Sequence, residues 1–212
     1  MAKLQVEGLL DLKTPKGKEK KVWEPLQLSD LADGYYVACD QSFTACGIVA
    51  FTVDSGVVAV LGAKTLVAVS SPSSKGWQVQ LDMAYDLFLS IKEFCMSISY
   101  FSRVNFPVTF FVNESPPVGG GRLTRPEVSL MCAQAFQFTA LSHSGSVLPM
   151  VYPRVHKQLI CGDPDAKKPQ EHAELKKFYP VITGSELITN EATRDAFCVG
   201  LTAAHQRSQN GS

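Results

Sequence analysis

The sequence predicts an α/β protein built on a five-stranded mixed sheet, an antiparallel meander extended by parallel strands, with helices on its faces. Three observations carry this. Apolar runs of strand length come three in a row over residues 35–69, joined by short turns, which is the pattern of a meander. Two further apolar runs, Pro107–Asn113 and Val147–Tyr152, are each reached through a segment of helical period, as parallel strands require. The chain, 212 residues of which 45% are hydrophobic, is long enough to cover both faces of such a sheet around one core.

Residues 1–32 read as an arm. Its run Lys13-Thr14-Pro15-Lys16-Gly17-Lys18-Glu19-Lys20-Lys21 is basic and rich in breakers, the composition of a solvated segment or of an arm that touches phosphate. Tyr35–Cys39 is the first strand, and Asp40 ends it. Gln41–Cys46 is a turn of small and polar residues, and Gly47 opens the second strand, Ile48–Val53. Asp54-Ser55-Gly56 reads as a hairpin turn into a third strand, Val57–Val69, with Gly62 marking a bulge. Gly76–Ser99 reads as a helix because Trp77, Leu81, Ala84, Phe88, Ile91, Cys95 and Ile98 recur at steps of three and four. Pro107–Asn113 is nearly all apolar, a strand buried on both faces, and Glu114 ends it.

Ser115–Arg122 is a loop rich in Pro and Gly. Thr124-Arg125-Pro126-Glu127 is a capping box that starts a helix to Ser142, with Val128, Met131, Cys132, Ala135 and Phe138 on one face. Val147–Tyr152 is the fifth strand, Pro153–Lys157 a connector and Asp163–Lys168 a charged loop. Pro169–Phe178 and Asn190–His205 are helices. Residues 33–207 therefore read as one domain, and 208–212 as a flexible tail.

Lys plus Arg and Asp plus Glu balance at 20 each, so no global basic excess marks a nucleic-acid binder, although a local basic patch beside a carboxylate cluster remains compatible. The 6 cysteines are scattered, without the C-x-x-C spacing of a zinc or redox pair, and read as buried thiols in a reducing compartment. There is no apolar leader and no apolar run of spanning length. The expectation is a cytoplasmic protein without a membrane span.

The chemistry is expected from acids. Asp40 and Glu114 each end a buried strand, and Glu191 and Asp195, four apart, share one face of the last helix. Asp40 taken alone also fits a turn carboxylate that bonds backbone amides. Three or four carboxylates at one end of a sheet repel unless cations neutralise them. Oxygen-only ligation suits Mg²⁺ or Mn²⁺, and two such ions activate a water and stabilise the leaving oxygen in phosphodiester hydrolysis.

In order and spacing the chain resembles the RuvC family of Holliday junction resolvases, with the RNase H-like fold. Asp40 followed by Gly47 is similar to that family's first motif. Glu114 resembles its second acid. Tyr152-Pro153-Arg154-Val155-His156-Lys157, then Gly162 and Ala166-Lys167-Lys168, resembles its basic segment. Arg194-Asp195-Ala196 resembles its closing acidic helix. The resemblance implies a metal-dependent endonuclease that resolves four-way DNA junctions. Asp40, Glu114, Asp195 and Glu191 would ligate two Mg²⁺ or Mn²⁺ ions, and Lys157 or Lys168 would steady the scissile phosphate. Arg122, Arg125, Arg154, Lys157, Lys167 and Lys168 would contact DNA, and two copies would form a homodimer. Leu87 and Leu89, and Leu130 and Phe136, would supply its interface.

The chain departs from the family at Ala192, which stands three before Asp195 where an acid or His is usual, leaving Glu191 as the substitute. Pro116, Pro117 and Val118 stand where an aromatic wedge is usual. The loop Val118-Gly119-Gly120-Gly121-Arg122 has no family counterpart. None of His143, His156, His172 and His205 shows metal-ligand spacing. The alternatives are another RNase H-like nuclease, acting on flaps, forks or RNA–DNA hybrids, and a nucleic-acid-binding homologue without activity.

Overall fold

Every side chain of strand β1 (Gly34–Asp40) is buried, which fixes β1 as the centre of the sheet. In a computed structural model, residues 24–41, 46–66, 77–102, 108–115, 126–142 and 145–210 are described, those of 77–84, 98–102 and 126–132 by backbone alone. β1 pairs antiparallel with β2 (Cys46–Asp54), which pairs antiparallel with β3 (Val57–Leu66). On its other side β1 runs parallel to β4 (Thr109–Asn113), and β4 runs parallel to the short β5 (Ser146–Val147). The five-stranded order is β3-β2-β1-β4-β5, the mixed sheet expected from the sequence.

Alternate residues of β1 enter two cores. Tyr35, Val37 and Cys39 face helices α1 (Trp77–Ser102) and α2 (Pro126–Ser142). Tyr36 and Ala38 face α5 (Glu191–Asn210), with Leu175 of α4 (Lys168–Lys176) and Ile160 of α3 (Pro153–Cys161) in the same cluster. The α5 side packs closely because α5 presents small residues. A Cβ on Gly200 would lie 2.5 Å from the Phe51 ring. The described part of the arm joins this core, since Leu26 and Leu31 are buried in it and Ala32 N–H donates to Ala204 O. Residues 1–23, with the basic run, lie outside the described residues, as does the Gly119–Gly121 loop.

The hairpin turns at Ser55 and Gly56, both at positive φ, 51° and 79°, the backbone that matches strand twist. The bulge falls where Ala50 pairs with Gly62 and Phe51 with Val60, so Leu61 is the extra residue, next to Gly62.

Three expectations change. The predicted fifth strand, 147–152, is broken. Only Ser146–Val147 pairs as a strand, and Val151 returns as an isolated bridge to Glu114. Pro149 stands between them and has no N–H for the ladder. The predicted connector at 153–157 is the helix α3, with Pro at its start and Gly162 at φ 74° closing it, the asymmetry that helix ends favour.

The buried stripes of α1 and α2 are also shifted. Leu87, Ile91, Phe94 and Cys95 are buried on α1, and Phe136 and Ala140 on α2. Phe136 packs on Phe111 with ring centroids 5.7 Å apart, while Phe138, expected in the core, is 64% exposed. Both helices are apolar over much of their circumference, so period alone does not select the buried edge. Leu87 and Phe136 are therefore core residues, not interface residues. Leu89 is exposed, and the side chain of Leu130 lies outside the described residues.

Candidate active site

The parallel register delivers two acids side by side. Cys39 pairs with Asn113, so the next step along each strand is Asp40 and Glu114. Glu114 N–H donates to Cys39 O at 3.0 Å. The Glu114 carbonyl accepts from Gln41 Nε2 and from Asn113 Nδ2. The end of β4 is thus clamped against the end of β1.

Gly47 brings the third acid. It pairs with Asp40 across β1 and β2. A Cβ there would lie 1.9 Å from the carbonyl oxygen of Ala192, so only glycine lets the first turn of α5 rest on the sheet at this point. That approach carries Asp195, nearly buried, to the same edge. The Asp40–Gly47 spacing read from the sequence is thereby a packing requirement of α5.

Asp195 Oδ1 meets His172 Nε2 at 2.6 Å, and its Oδ2 accepts from Lys168 Nζ. The same Nζ donates to Glu191 Oε1 at 3.1 Å, although the Glu191 side chain is 64% exposed. Glu114 Oε1 meets His156 Nε2 at 3.0 Å, and His156 Nδ1 meets Oε1 of the buried Glu171.

The charges are unevenly balanced. Burial first, then the neighbouring Glu114 and Asp195, raise the Asp40 carboxyl well above the ordinary carboxylate range, against a smaller opposing pull from Lys168. Burial pulls the His156 imidazole down, but its hydrogen bonds to Glu114 and Glu171 outweigh this and lift it to about 9. Burial likewise opposes the Lys168 ammonium, and Asp195 and Glu191 more than restore it, so its pKa lies above the ordinary lysine value. The Lys168 hydrogen bond holds the Glu191 carboxyl below its usual value.

The donor chemistry suits a hard divalent cation: the acids offer oxygen alone, and burial together with the neighbouring Glu114 and Asp195 raises the Asp40 carboxyl, a strain on its charged form that a cation would relieve. Among the described residues, however, no group of three His, Cys, Asp or Glu side chains is arranged to hold a metal ion. Both oxygens of Asp195 are engaged, by His172 and Lys168. Glu114 Oε1 is likewise engaged, by His156.

The basic residues divide. Lys168 reaches the acids. Arg154 is exposed and pairs with Asp165 at 3.2 Å. Lys167 is exposed at the start of α4, where its N–H donates to Gln170 Oε1. Lys157 is half-buried on α3 and, among the described residues, takes no part in the ion pairs of the four acids, which are with Lys168, His156 and His172. Arg122 and Arg125 lie outside the described residues.

The sequence reading missed His156, His172 and Glu171. One signal was available: His172 stands four after Lys168 and so shares its helix face. A cleft of about 870 Å³ lies between Leu26, Asp30, Leu159, Thr202 and His205, and none of the four acids lines it. Asp40 and Glu114 sit at the C-terminal ends of the interior strands β1 and β4 instead.

No protein-family model and no curated protein matches the sequence. Among solved structures, the chain is similar to RuvC from Thermus thermophilus, with a TM-score of 0.59 and 13% identity over 84% of this chain and 97% of that one. It is similar to T. thermophilus RuvC in complex with Holliday junction substrate, with a TM-score of 0.58 and 14% identity over 84% and 96%. The yeast mitochondrial Holliday junction resolvase Ydc2 follows at 0.54 and 10% identity, over 87% and 83%. Together with the strand order and the helices on both faces, these likenesses give the chain the RNase H-like fold of the RuvC type over most of its length.

Proposed function

We propose that the protein is a metal-dependent, structure-specific DNA endonuclease that resolves four-way junctions by paired phosphodiester hydrolysis. The observation that carries this reading is the convergence of Asp40, Glu114 and Asp195 at one sheet edge, in a fold similar to two Holliday junction resolvases. Asp40, Glu114 and Asp195 would hold Mg²⁺ or Mn²⁺, with Glu191, joined to them through Lys168, as the fourth acid and two ions per site. Bound there, the cation supplies Lewis-acid chemistry, easing loss of a proton from the attacking water and neutralising charge on the departing oxygen.

The chain's own residues do the rest. Lys168, half exposed beside Asp195, can turn its ammonium to a phosphate oxygen. Lys157, Lys167, Arg154, Arg122 and Arg125 would contact the DNA backbone, which positions a duplex without reading its sequence.

Paired incision of a two-fold substrate needs two copies related by a dyad. The exposed Tyr85, Leu89 and Met96 of α1 and Phe138 and Leu141 of α2 are the apolar surface that a homodimer would cover.

The deciding experiment offers four-way junction, fork, flap and RNA–DNA hybrid to wild type and to Asp40→Asn in Mg²⁺. The expected result is paired nicking of the junction, abolished by Asp40→Asn. Preference for flap, fork or hybrid replaces the resolvase reading with another RNase H-like nuclease. Junction binding without any nicking replaces it with an inactive homologue.

A further inference from the structure

Helix α4 buries a carboxylate where an apolar side chain would serve the core better. Glu171 precedes Leu175 by four residues, on the same helix face, and both are 0% exposed. Its Oε1 meets His156 Nδ1 on α3. Its Oε2 has no N–H or O–H donor among the described residues; only the Cys198 thiol, a weak donor, stands beside the carboxylate. Replacing both partners of such a buried pair by apolar side chains of similar volume is commonly neutral or stabilising, whereas removing one partner alone is costly. Stability therefore does not account for the Glu171–His156 pair.

The account lies at the far side of the imidazole. Both ring nitrogens of His156 face carboxylates, Nδ1 that of Glu171 and Nε2 that of Glu114, 3.0 Å away. A chain Glu171–His156–Glu114 runs from the core to the acid that ends β4. His156 is itself buried, so the ring cannot swing out to solvent. Glu114 has a long side chain with rotamer freedom, and the ring selects one orientation of it. Asp195 has a parallel support from the same pair of helices, since His172 on α4 meets it.

We propose that His156 and Glu171 are positioning residues for the candidate active site: Glu171 fixes the His156 ring, and the ring fixes the Glu114 carboxylate in the orientation the shared cation needs. This rests on the nuclease reading above and adds to it a support that no strand or acid motif contains. Groups of this kind, one step removed from a metal, are worth about 10–100-fold in affinity or activity.

The test uses the full chain and four variants: His156→Leu, His156→Gln, Glu171→Met and the double His156→Leu/Glu171→Met. Mn²⁺ affinity is measured by calorimetry without DNA, kcat and KM on a four-way junction, and the thermal midpoint in EDTA. Glu171→Met and His156→Leu are expected to weaken Mn²⁺ binding and lower kcat by about 10–100-fold with KM unchanged within about twofold. The double variant should melt no lower than wild type, whereas Glu171→Met alone, which leaves His156 without its partner, should melt lower. His156→Gln, whose amide can still donate to Glu114, should recover part of the loss. The double variant should be no worse than His156→Leu, because one chain is cut twice.

Wild-type Mn²⁺ affinity in Glu171→Met overturns the proposal, as does a loss that tracks a fall in melting and adds in the double variant. Should His156→Leu fail to fold, Glu171→Met and His156→Gln decide alone. A wild type that binds Mn²⁺ but cuts no junction overturns the resolvase reading only, and the affinity arm still decides the positioning role. A wild type that binds no Mn²⁺ overturns both.

Discussion

The two acids on the strands and the two on the last helix are neutralised in different ways. Asp40 and Glu114 stand side by side because parallel register puts them there. Among the described residues their ion pair is with His156, which reaches Glu114 from α3, and Lys168 pulls on Asp40 more weakly than burial and the acids push it. Burial first, then Glu114 and Asp195, raise the Asp40 carboxyl well above the ordinary carboxylate range. Asp195 and Glu191 share an ammonium, Lys168, and Asp195 has His172 besides. The strand pair is short of positive charge and the helix pair is not. A cation therefore gains most at the strand pair, while at Asp195 it competes with Lys168. Cation affinity and access to the third acid are set by different parts of the chain.

The largest effects break this comparison at its centre. Asp40→Asn, Glu114→Gln and Asp195→Asn should each lower junction cleavage on the order of a thousandfold, the scale of several kcal/mol of lost charge stabilisation. Junction binding should stay within a few-fold, since basic residues and not acids hold the phosphates. Cleavage and gel-shift assays read both. A wild-type rate in any one variant removes that acid from the site.

The strand acids were legible only as a set: Asp40 alone fits a turn carboxylate, but Asp40 and Glu114 both ending apolar runs, with two more acids on the last helix, make a cluster that needs positive charge. Gly47 was legible as spacing, but its reason, the Ala192 carbonyl pressed on it, needs the helix in place. The supports on α3 and α4 were not legible. His156 and Glu171 lie 15 residues apart on different helices and meet only once those helices pack. α3 was read as a connector because its run of 9 residues is too short for helical period to show. The burial of Phe136 rather than Phe138 was hidden by a helix apolar on more than one side.

A second prediction sharpens the contrast from the helix side. Lys168→Gln should lower kcat by about 10–100-fold through loss of a group beside the acids. It should also tighten Mn²⁺ binding roughly fivefold, the effect of removing about 1 kcal/mol of repulsion at the half-exposed, water-like end of the site. Calorimetry that shows weaker Mn²⁺ binding in Lys168→Gln would mean that the ammonium supports the cation rather than competing with it.

A third prediction follows from protons, measured in EDTA. Asp40 holds its proton more tightly folded than unfolded. The folded state therefore binds more protons at and above pH 3.8, the carboxyl's ordinary value, and stability falls as pH rises through that range. His156, lifted from 6.5 to about 9, contributes stability that is complete below 6.5 and is lost as pH climbs to about 9. The thermal midpoint should thus fall from pH 5 to pH 9. Asp40→Asn should flatten the lower part of that fall and His156→Gln the upper part. A midpoint that rises across this interval would contradict both shifts.

The smallest effect falls on Glu191. Its carboxylate is 64% exposed and meets Lys168, itself 52% exposed, at 3.1 Å. A pair so open contributes about 0–1 kcal/mol and fades with salt. As the first residue of α5, Glu191 also complements the helix dipole by a similar amount. Glu191→Gln should therefore lower stability by less than about 1 kcal/mol, and less still in high salt. Its effect on cleavage should be the least of the four acids, about tenfold, the low end for a group one step removed from a metal. Ala192 stands three before Asp195 and is half-buried at the same edge, so Ala192→Asp on the Glu191→Gln background should recover part of that loss. A thousandfold loss in Glu191→Gln would put this acid on equal terms with Asp195 and erase the difference between the helix's two carboxylates. Unchanged cleavage would leave Glu191 as a helix-terminal charge alone, with the fourth ligand to be sought elsewhere.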